Sequence, residues 1–312
     1  MAGREREGRR QRADDVTRAG FVGLAGRPNV GKSTLVNAIV GAKVAIVSDR
    51  PQTTRRAIRG ISTDPDREWQ IVLVDMPGVQ RPRDTLTERM QRRVEQELSE
   101  ADSALLVLDG LQGIGAGDSY IAKALLGAKR GTPVVCAVNK VDRLRRGEIA
   151  AALTAAADLE GVDEVFPVSA KNGAGLEPLI ARLVSLLPEG PLLYPPEDRS
   201  DLSPEIRLAE LIREQALRRT RQEVPHAVEV MIDGVERRGD GLVEVRAQLW
   251  VESPSQKRIL VGKGGSMVRQ IGTAARRELE RELTAHVFLD LQVKLRERWR
   301  RDEGLLDRLR IE

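Results

Sequence analysis

The stretch Phe21-Val22-Gly23-Leu24-Ala25-Gly26-Arg27-Pro28-Asn29-Val30-Gly31-Lys32-Ser33 decides the fold. Its first five residues form an apolar run of strand length. Its last eight match G-x-x-x-x-G-K-[ST], and helical periodicity follows over 32–40. Strand, glycine-rich turn and helix together are the context in which this pattern makes a phosphate-binding loop. The glycines let backbone N–H groups close around phosphate oxygens, and the helix N-terminus adds partial positive charge. In such a loop Lys32 reaches the β- and γ-phosphates and Ser33 ligates Mg²⁺, with Gly31 and Thr34 beside them.

Further apolar runs lie at 57–62, 70–75, 104–109, 134–138 and 165–168, and helical stretches near 86–99, 118–128, 147–158 and 175–186. This alternation predicts an α/β domain with a doubly wound, mostly parallel sheet. Only residues 63–68 separate the runs at 57–62 and 70–75, which predicts an antiparallel hairpin there.

Polar motifs fall at the ends of these runs. Asn139-Lys140-Val141-Asp142 follows 134–138. The Asp142 carboxylate can accept both the N1–H and the exocyclic amino protons of guanine, a donor pair that adenine lacks. Asp75-Met76-Pro77-Gly78 closes the run at 70–75. There Asp75 would hold Mg²⁺ through water, and the Gly78 N–H would meet the γ-phosphate. Ser169-Ala170-Lys171 follows 165–168 and would touch the guanine O6 through its backbone. Thr53 and Thr54 lie in a polar loop, and Thr54 is the favoured residue to cover Mg²⁺ in the triphosphate state. Lys32, Thr54 and Gly78 are thus the catalytic candidates. A metabolic P-loop kinase is disfavoured by the N-K-V-D element.

A Pro-rich stretch holds Pro188, Pro191, Pro195, Pro196 and Pro204. It reads as a semi-rigid linker over 188–204. Beyond it the rhythm predicts a helix over 204–222, strands near 226–234 and 242–251, a short helix, a helix to about 284 and a strand over 285–295. Between the two later helices lies Ile259-Leu260-Val261-Gly262-Lys263-Gly264-Gly265-Ser266-Met267-Val268-Arg269-Gln270-Ile271-Gly272. This segment resembles a KH domain of the bacterial (type II) arrangement, a smaller α+β unit. Its G-x-x-G loop lets a nucleic-acid backbone approach, and Lys263 adds charge. The resemblance assigns an RNA groove to Ile259, Val261, Val268 and Ile271, with Arg269 beside the Gly262–Gly265 loop.

The elements G-R-P-N-V-G-K-S, Q-T-T-R, D-M-P-G, N-K-V-D and S-A-K are similar to those of the translation-factor-related GTPases. The Q-T-T-R spelling and the short second domain resemble the Era family of bacterial GTPases over about residues 20–312. The resemblance implies GTP hydrolysis with GTP/GDP and Mg²⁺ bound. It also implies binding to the 3′ end of 16S rRNA and assistance to 30S subunit maturation. Val79 stands where Ras-like enzymes have a water-orienting Gln, so a slow intrinsic rate is expected. Asn29 is similar to a P-loop Asn that helps bind K⁺ in some of these enzymes; a turn-stabilising role is the alternative. The competing function is a membrane-associated regulatory GTPase coupling growth to the cell cycle.

Composition narrows the rest. With 51 basic and 47 acidic residues in 312, the formal net charge is +4, and no segment has a strong basic excess. RNA binding should therefore rest on a local loop, with modest salt dependence. Cys136 cannot form an internal disulfide or a Cys-rich zinc site and reads as a buried small residue. His226 and His286 form no metal-spaced pair. No long apolar run predicts a membrane span, and the start lacks a secretory h-region, so a cytoplasmic monomer is expected, with peripheral membrane contact as an added option. Trp299 sits among Arg296, Arg298, Arg300 and Arg301, where packing of the C-terminal segment is favoured over base stacking. The expected organisation is an arm over 1–19, a GTPase domain over 20–187, the linker, and a KH domain with C-terminal tail over 205–312.

Overall fold

Strands that must be covered on both faces read as unbroken apolar runs, and the first sheet is built from such runs. The computed structural model describes residues 17–48, 50, 53–78, 82–128, 131–220 and 224–311. Residues 1–16 of the expected arm, Gln52 of the Q-T-T-R element and Val79 fall outside them. Two compact units are present. The first comprises Met1–Ala45, Ile58–Met76 and Glu95–Asp201, and the second Ile46–Ala57, Pro77–Val94 and Leu202–Glu312.

In the first unit the strands are β1 (Arg18–Ala25), β2 (Ile58–Asp64), β3 (Trp69–Asp75), β4 (Ser103–Asp109), β5 (Val134–Asn139) and β6 (Glu164–Pro167). The helices are α1 (Lys32–Val40), α2 (Thr85–Glu100, whose first ten residues belong to the second unit), α3 (Ala116–Ala128), α4 (Arg146–Ala157) and α5 (Leu176–Ser185). The sheet order is β2-β3-β1-β4-β5-β6. All its pairings are parallel except β2 with β3, the expected hairpin. β1 lies between β3 and β4, so the strand order reverses there. The loop after β1 therefore opens at the topological switch point, where such sheets bind ligands. Val22, Leu24, Leu35, Val36, Leu73, Leu105, Val107 and Val135 have no exposed surface and form the core beneath that point. Cys136 is likewise fully buried, and burial pushes its thiol up to about 12, which leaves it unreactive.

The Pro-rich stretch is tied down rather than free over 187–200. The Arg18 guanidinium donates to the Leu187 carbonyl at 3.0 Å, and the Gly190 N–H to the Thr17 carbonyl at 2.8 Å. The fully buried Gln70 amide donates to the Tyr194 carbonyl at 2.9 Å. The Ile61 N–H donates to the Arg199 carbonyl at 2.9 Å, beside an antiparallel bridge from Gly60 to Ser200. The contacts of Ile61 and Gly60 occupy part of the open edge of β2, which would otherwise present unpaired backbone groups.

The second unit contains α6 (Pro204–Arg219), α7 (Val224–Ala227), β7 (Glu229–Arg237), β8 (Val243–Val251), α8 (Pro254–Val261), α9 (Ser266–Leu283), β9 (Val287–Leu295) and α10 (Glu303–Arg308). The short α7 and α10 carry no periodic signal of their own and were not expected. The sheet order is β7-β8-β9, with β7 antiparallel and β9 parallel to β8. Along β8, Val243, Val245, Ala247, Leu249 and Val251 alternate into a core with Leu208, Ile212, Leu260, Ile271, Ala275 and Leu279. Part of the opposite sheet face is covered by Trp250, Trp299, Leu306, Leu309 and Ile311, together with Leu86 and Met90 of α2. Trp299 is fully buried and its indole N–H donates to the Ala227 carbonyl at 3.0 Å, which is the packing role expected for it.

The segment Ile46–Ala57 is held in this unit by buried charge. Arg55 donates to Glu229 at 2.7 Å and to the Val228 carbonyl at 2.6 Å, and its guanidinium lies 5.4 Å from the Trp299 ring centre. Arg56 donates to Glu210 at 2.8 Å and to the Leu309 carbonyl at 2.7 Å. Arg213 pairs with the same Glu210 at 2.6 Å and donates to the Thr53 carbonyl.

Candidate nucleotide site and RNA groove

The residues that carry the candidate chemistry sit at the carboxyl ends of β1, β3, β4, β5 and β6. α1 starts at Lys32 without a side-chain cap and with no acidic residue in its first turn. The positive end of its dipole thus faces the loop and favours an anion there. Thr34 lies half-buried in that first turn. Gly31 has φ 104°, and a Cβ there would lie 2.3 Å from the Asn139 amide nitrogen, so the loop needs glycine at this point.

Lys32 is buried, and its ammonium donates to the Gly26 carbonyl at 2.9 Å and the Arg27 carbonyl at 3.1 Å. Burial lowers its pKa to about 8, with Asp75 opposing that shift. The Ser33 hydroxyl donates to the fully buried Asp75 carboxylate at 2.6 Å. A hydroxyl and a carboxylate beside a phosphate loop are the hard oxygen donors that suit Mg²⁺, which takes few protein ligands and completes its shell with water and phosphate. The donor set therefore fits the expected metal.

The base side is assembled by three side chains. The buried Asn139 amide donates to the Val30 carbonyl at 2.9 Å, and its oxygen accepts the Lys140 and Ala170 N–H groups at 2.8 and 3.0 Å. The Lys140 ammonium donates to the Asn29 carbonyl at 2.8 Å and to Asp109 at 2.6 Å. The Ser169 hydroxyl donates to Asp142 at 2.6 Å, which orients an otherwise exposed carboxylate. Lys171 is exposed. Hydrogen bonds thus tie Asn29, Lys140, Asn139 and Ala170 together, Ser169 to Asp142, and Ser33 to Asp75, all at the carboxyl ends of these strands. Thr54, which is buried, and Gly78, which is half-buried, belong to segments of the second unit.

Two members of the cluster were not expected. Asp109 ends β4 just as Asp75 ends β3. A polar residue closing a fully apolar strand was the signal that could have revealed it. Asp118, fully buried, accepts from Arg27 of the phosphate loop at 2.8 Å, while Arg27 also donates to the Gly113 carbonyl at 3.0 Å.

In the second unit, a groove of about 420 Å³ runs between α9 and β9. Gly265, Val268, Arg269, Arg276, Phe288 and Leu291 are among its lining residues. Val268 and Arg269 line this groove, and the half-buried Gly262 and the exposed Lys263 and Gly264 precede them in the chain. One assignment is corrected. Ile271 has no exposed surface because it faces the core under α9. Ile259, 48% exposed on α8, and Val261, half-buried, do not line the groove. The apolar wall comes instead from β9, where Phe288 is 53% exposed. The Phe288 ring, on the edge strand β9, offers a stacking face.

Two family models match the chain: a 50S ribosome-binding GTPase family over residues 21–140 and a KH domain family over 223–300. GTPase Era of Mycolicibacterium smegmatis is 46% identical over 295 residues, which span 94% of this chain and 98% of that protein. The chain belongs to the Era GTPase family. GTPase Era of Mycobacterium tuberculosis is 45% identical, over 93% of this chain and 98% of its own length. Among solved structures, Era in complex with MgGDPNP and nucleotides 1506–1542 of 16S ribosomal RNA superposes with a TM-score of 0.90 at 32% identity, covering 95% of this chain and 99% of that one. A variant of Aquifex aeolicus Era bound to GDP and AlF4⁻ gives the same TM-score, identity and coverage. The Era architecture, an α/β GTPase domain followed by a KH domain, is the one described above.

Proposed function

We propose that this chain is a GTP-hydrolysing, RNA-binding member of the Era family that binds the 3′ end of 16S rRNA and assists maturation of the 30S subunit. The observation that carries the reading is the presence on one chain of a guanine-type nucleotide cluster and a KH groove. Asp142, oriented by Ser169, accepts the two guanine protons. Asn139 and Ala170 hold the base loop to the phosphate loop. Lys32 neutralises phosphate oxygens from inside the loop. Ser33 and Asp75 are the residues that would hold Mg²⁺, which supplies neutralisation of charge on the β- and γ-phosphate oxygens. Thr54 is proposed to cover Mg²⁺ in the triphosphate state, and the Gly78 N–H to meet the γ-phosphate. In the second unit, the backbone at Gly262–Gly265 takes RNA phosphates, Lys263 and Arg269 add charge, and Val268 and Phe288 flank the bases.

GTP is proposed to bias the RNA affinity of the KH domain through the loops at 43–56 and 76–90. Among the described residues no helix is long and apolar enough to cross a membrane. Cytoplasmic placement, a monomeric state and peripheral contact with lipid belong to the proposal. Crosslinking the full chain to cellular RNA and sequencing the bound segments tests it. The 3′ end of 16S rRNA is the expected segment, and recovery of mainly non-ribosomal RNA overturns the assembly role. Equal RNA affinity in the GTP and GDP forms overturns the switch.

A further inference from the structure

We infer that Asp109 is a positioning residue for guanine-nucleotide binding, acting through Lys140. Asp109 is the last residue of β4, is 1% exposed, and pairs in register with Asn139 at the end of β5. One carboxylate oxygen accepts the Leu111 N–H at 3.0 Å and so fixes the turn that follows the strand. The other accepts the Lys140 ammonium at 2.6 Å. That ammonium also reaches the Asn29 carbonyl of the phosphate loop at 2.8 Å.

A lysine side chain is long and flexible, and a free one loses rotamer entropy when it is immobilised. Asp109 meets that cost before any ligand arrives. It places a full negative charge, mostly shielded from water, where it holds the ammonium against Asn29. The Lys140 backbone is already constrained, with φ 69° and its N–H on the Asn139 oxygen at 2.8 Å. The chain Asp109–Lys140–Asn29 thus ties β4, the base loop and the phosphate loop into one strut, parallel to the strut made by Asn139 and Val30. Base recognition and phosphate binding then become coupled through a residue that need not touch the nucleotide.

Asp109→Asn separates the two roles of the carboxylate. The amide oxygen can still accept from Leu111, but an NH₂ group now faces the ammonium, two donors together. The test uses the full chain, nucleotide-free, with wild type, D109N and D109E. Acylation of Lys140 by an amine-reactive ester is followed by mass spectrometry, with Lys171 and Lys257 as internal references. Lys140 is expected to label several-fold faster in D109N, the two references at unchanged rates, and D109E to return most of the protection. GDP affinity by titration is expected to fall about 10- to 30-fold in D109N, because an unrestrained Lys140 must then be ordered on binding. The unfolding temperature is expected to fall slightly in D109N, which loses a bond already made in the ligand-free fold, and to return in D109E.

Unchanged Lys140 labelling in D109N overturns the inference. So does faster labelling with unaltered GDP affinity, and so does a drop in unfolding temperature shared by D109N and D109E. The effect on binding rests on the guanine-nucleotide reading above, whereas the labelling does not. Wild-type protein that fails to bind GDP would therefore overturn that reading and leave the labelling result to decide the strut.

Discussion

Replacing Glu229 by Gln is expected to destabilise the second unit by about 3 kcal/mol at neutral pH. Glu229 opens β7 with no exposed surface. Its carboxylate takes a 2.7 Å bond from Arg55 and lies 3.6 Å from Arg56 and 3.7 Å from Arg213. Burial would push this carboxyl up, but Arg56, Arg213 and Arg55 outweigh it and hold it at about 2, against an ordinary value of 4.5. That depression converts to about 3 kcal/mol at about 1.4 kcal/mol per pKa unit. Independently, removing one partner from a buried ion pair costs about 3–5 kcal/mol, because the remaining charge has no compensation. Glutamine keeps the shape and loses the charge, leaving Arg55, Arg56 and Arg213 to share Glu210.

The folded value is depressed, so the stabilisation is complete above the unfolded value near 4.5 and is lost as pH falls through about 2. Urea unfolding followed by tryptophan fluorescence reads the effect, because Trp299 lies beneath Arg55 and Trp250 is in the same cluster. At an m-value of about 1–3 kcal/mol/M, the midpoint of that transition should drop by about 1–3 M. The gap between wild type and variant should narrow below pH 4.5. A difference under about 1 kcal/mol at neutral pH, or a gap that widens in acid, would refute the reasoning, since a broken buried pair costs more than that.

Three further outcomes are expected. Lys32 sits at about 8 without ligand and should rise beside phosphate, so GDP binding should take up a proton above that pH and none well below it. Calorimetry in two buffers of different ionisation enthalpy measures the uptake, and equal uptake on both sides of pH 8 contradicts it. Gly264 has φ 58° and open space where a Cβ would stand, so Gly264→Asp should cost the fold only about 1–2 kcal/mol. It should weaken binding of the 16S rRNA 3′ segment at least tenfold while leaving GTP turnover unchanged, and equal affinity in a filter assay counts against the groove. If Asn29 helps hold K⁺, GTP turnover should be faster in KCl than in NaCl, and equal rates dispose of that role.

The chemistry of the nucleotide site was readable in the sequence because each element is a local pattern with local consequences. Gly31-Lys32-Ser33 opens a helix, and Asp75, Asn139 and Ser169 end or follow strands. A strand end is a place that hydrophobic periodicity marks well. The hairpin of β2 and β3 was equally local. The groove was less readable. Ile271 looked available because it is apolar and near the glycine loop, yet it shares the core-facing side of α9 with Ala275 and Leu279. Phe288 was overlooked because its exposure depends on β9 being the edge of its sheet, a property of strand order and not of the strand's own residues.

What the chain's own order of residues settles is the set of chemical elements and the class of each unit, since turns, caps and alternation act between residues a few positions apart. Which distant charges meet is settled by packing alone. Asp109 and Lys140 face each other because β4 and β5 are neighbours in the sheet. Arg55 and Arg56 lie within the sequence span of the first domain, yet they are buried on Glu229 and Glu210 of the second unit. No local rule selects one acidic residue among 47 as the partner of a given arginine. Burial does, because a charge taken out of water must find its opposite where the fold has put it.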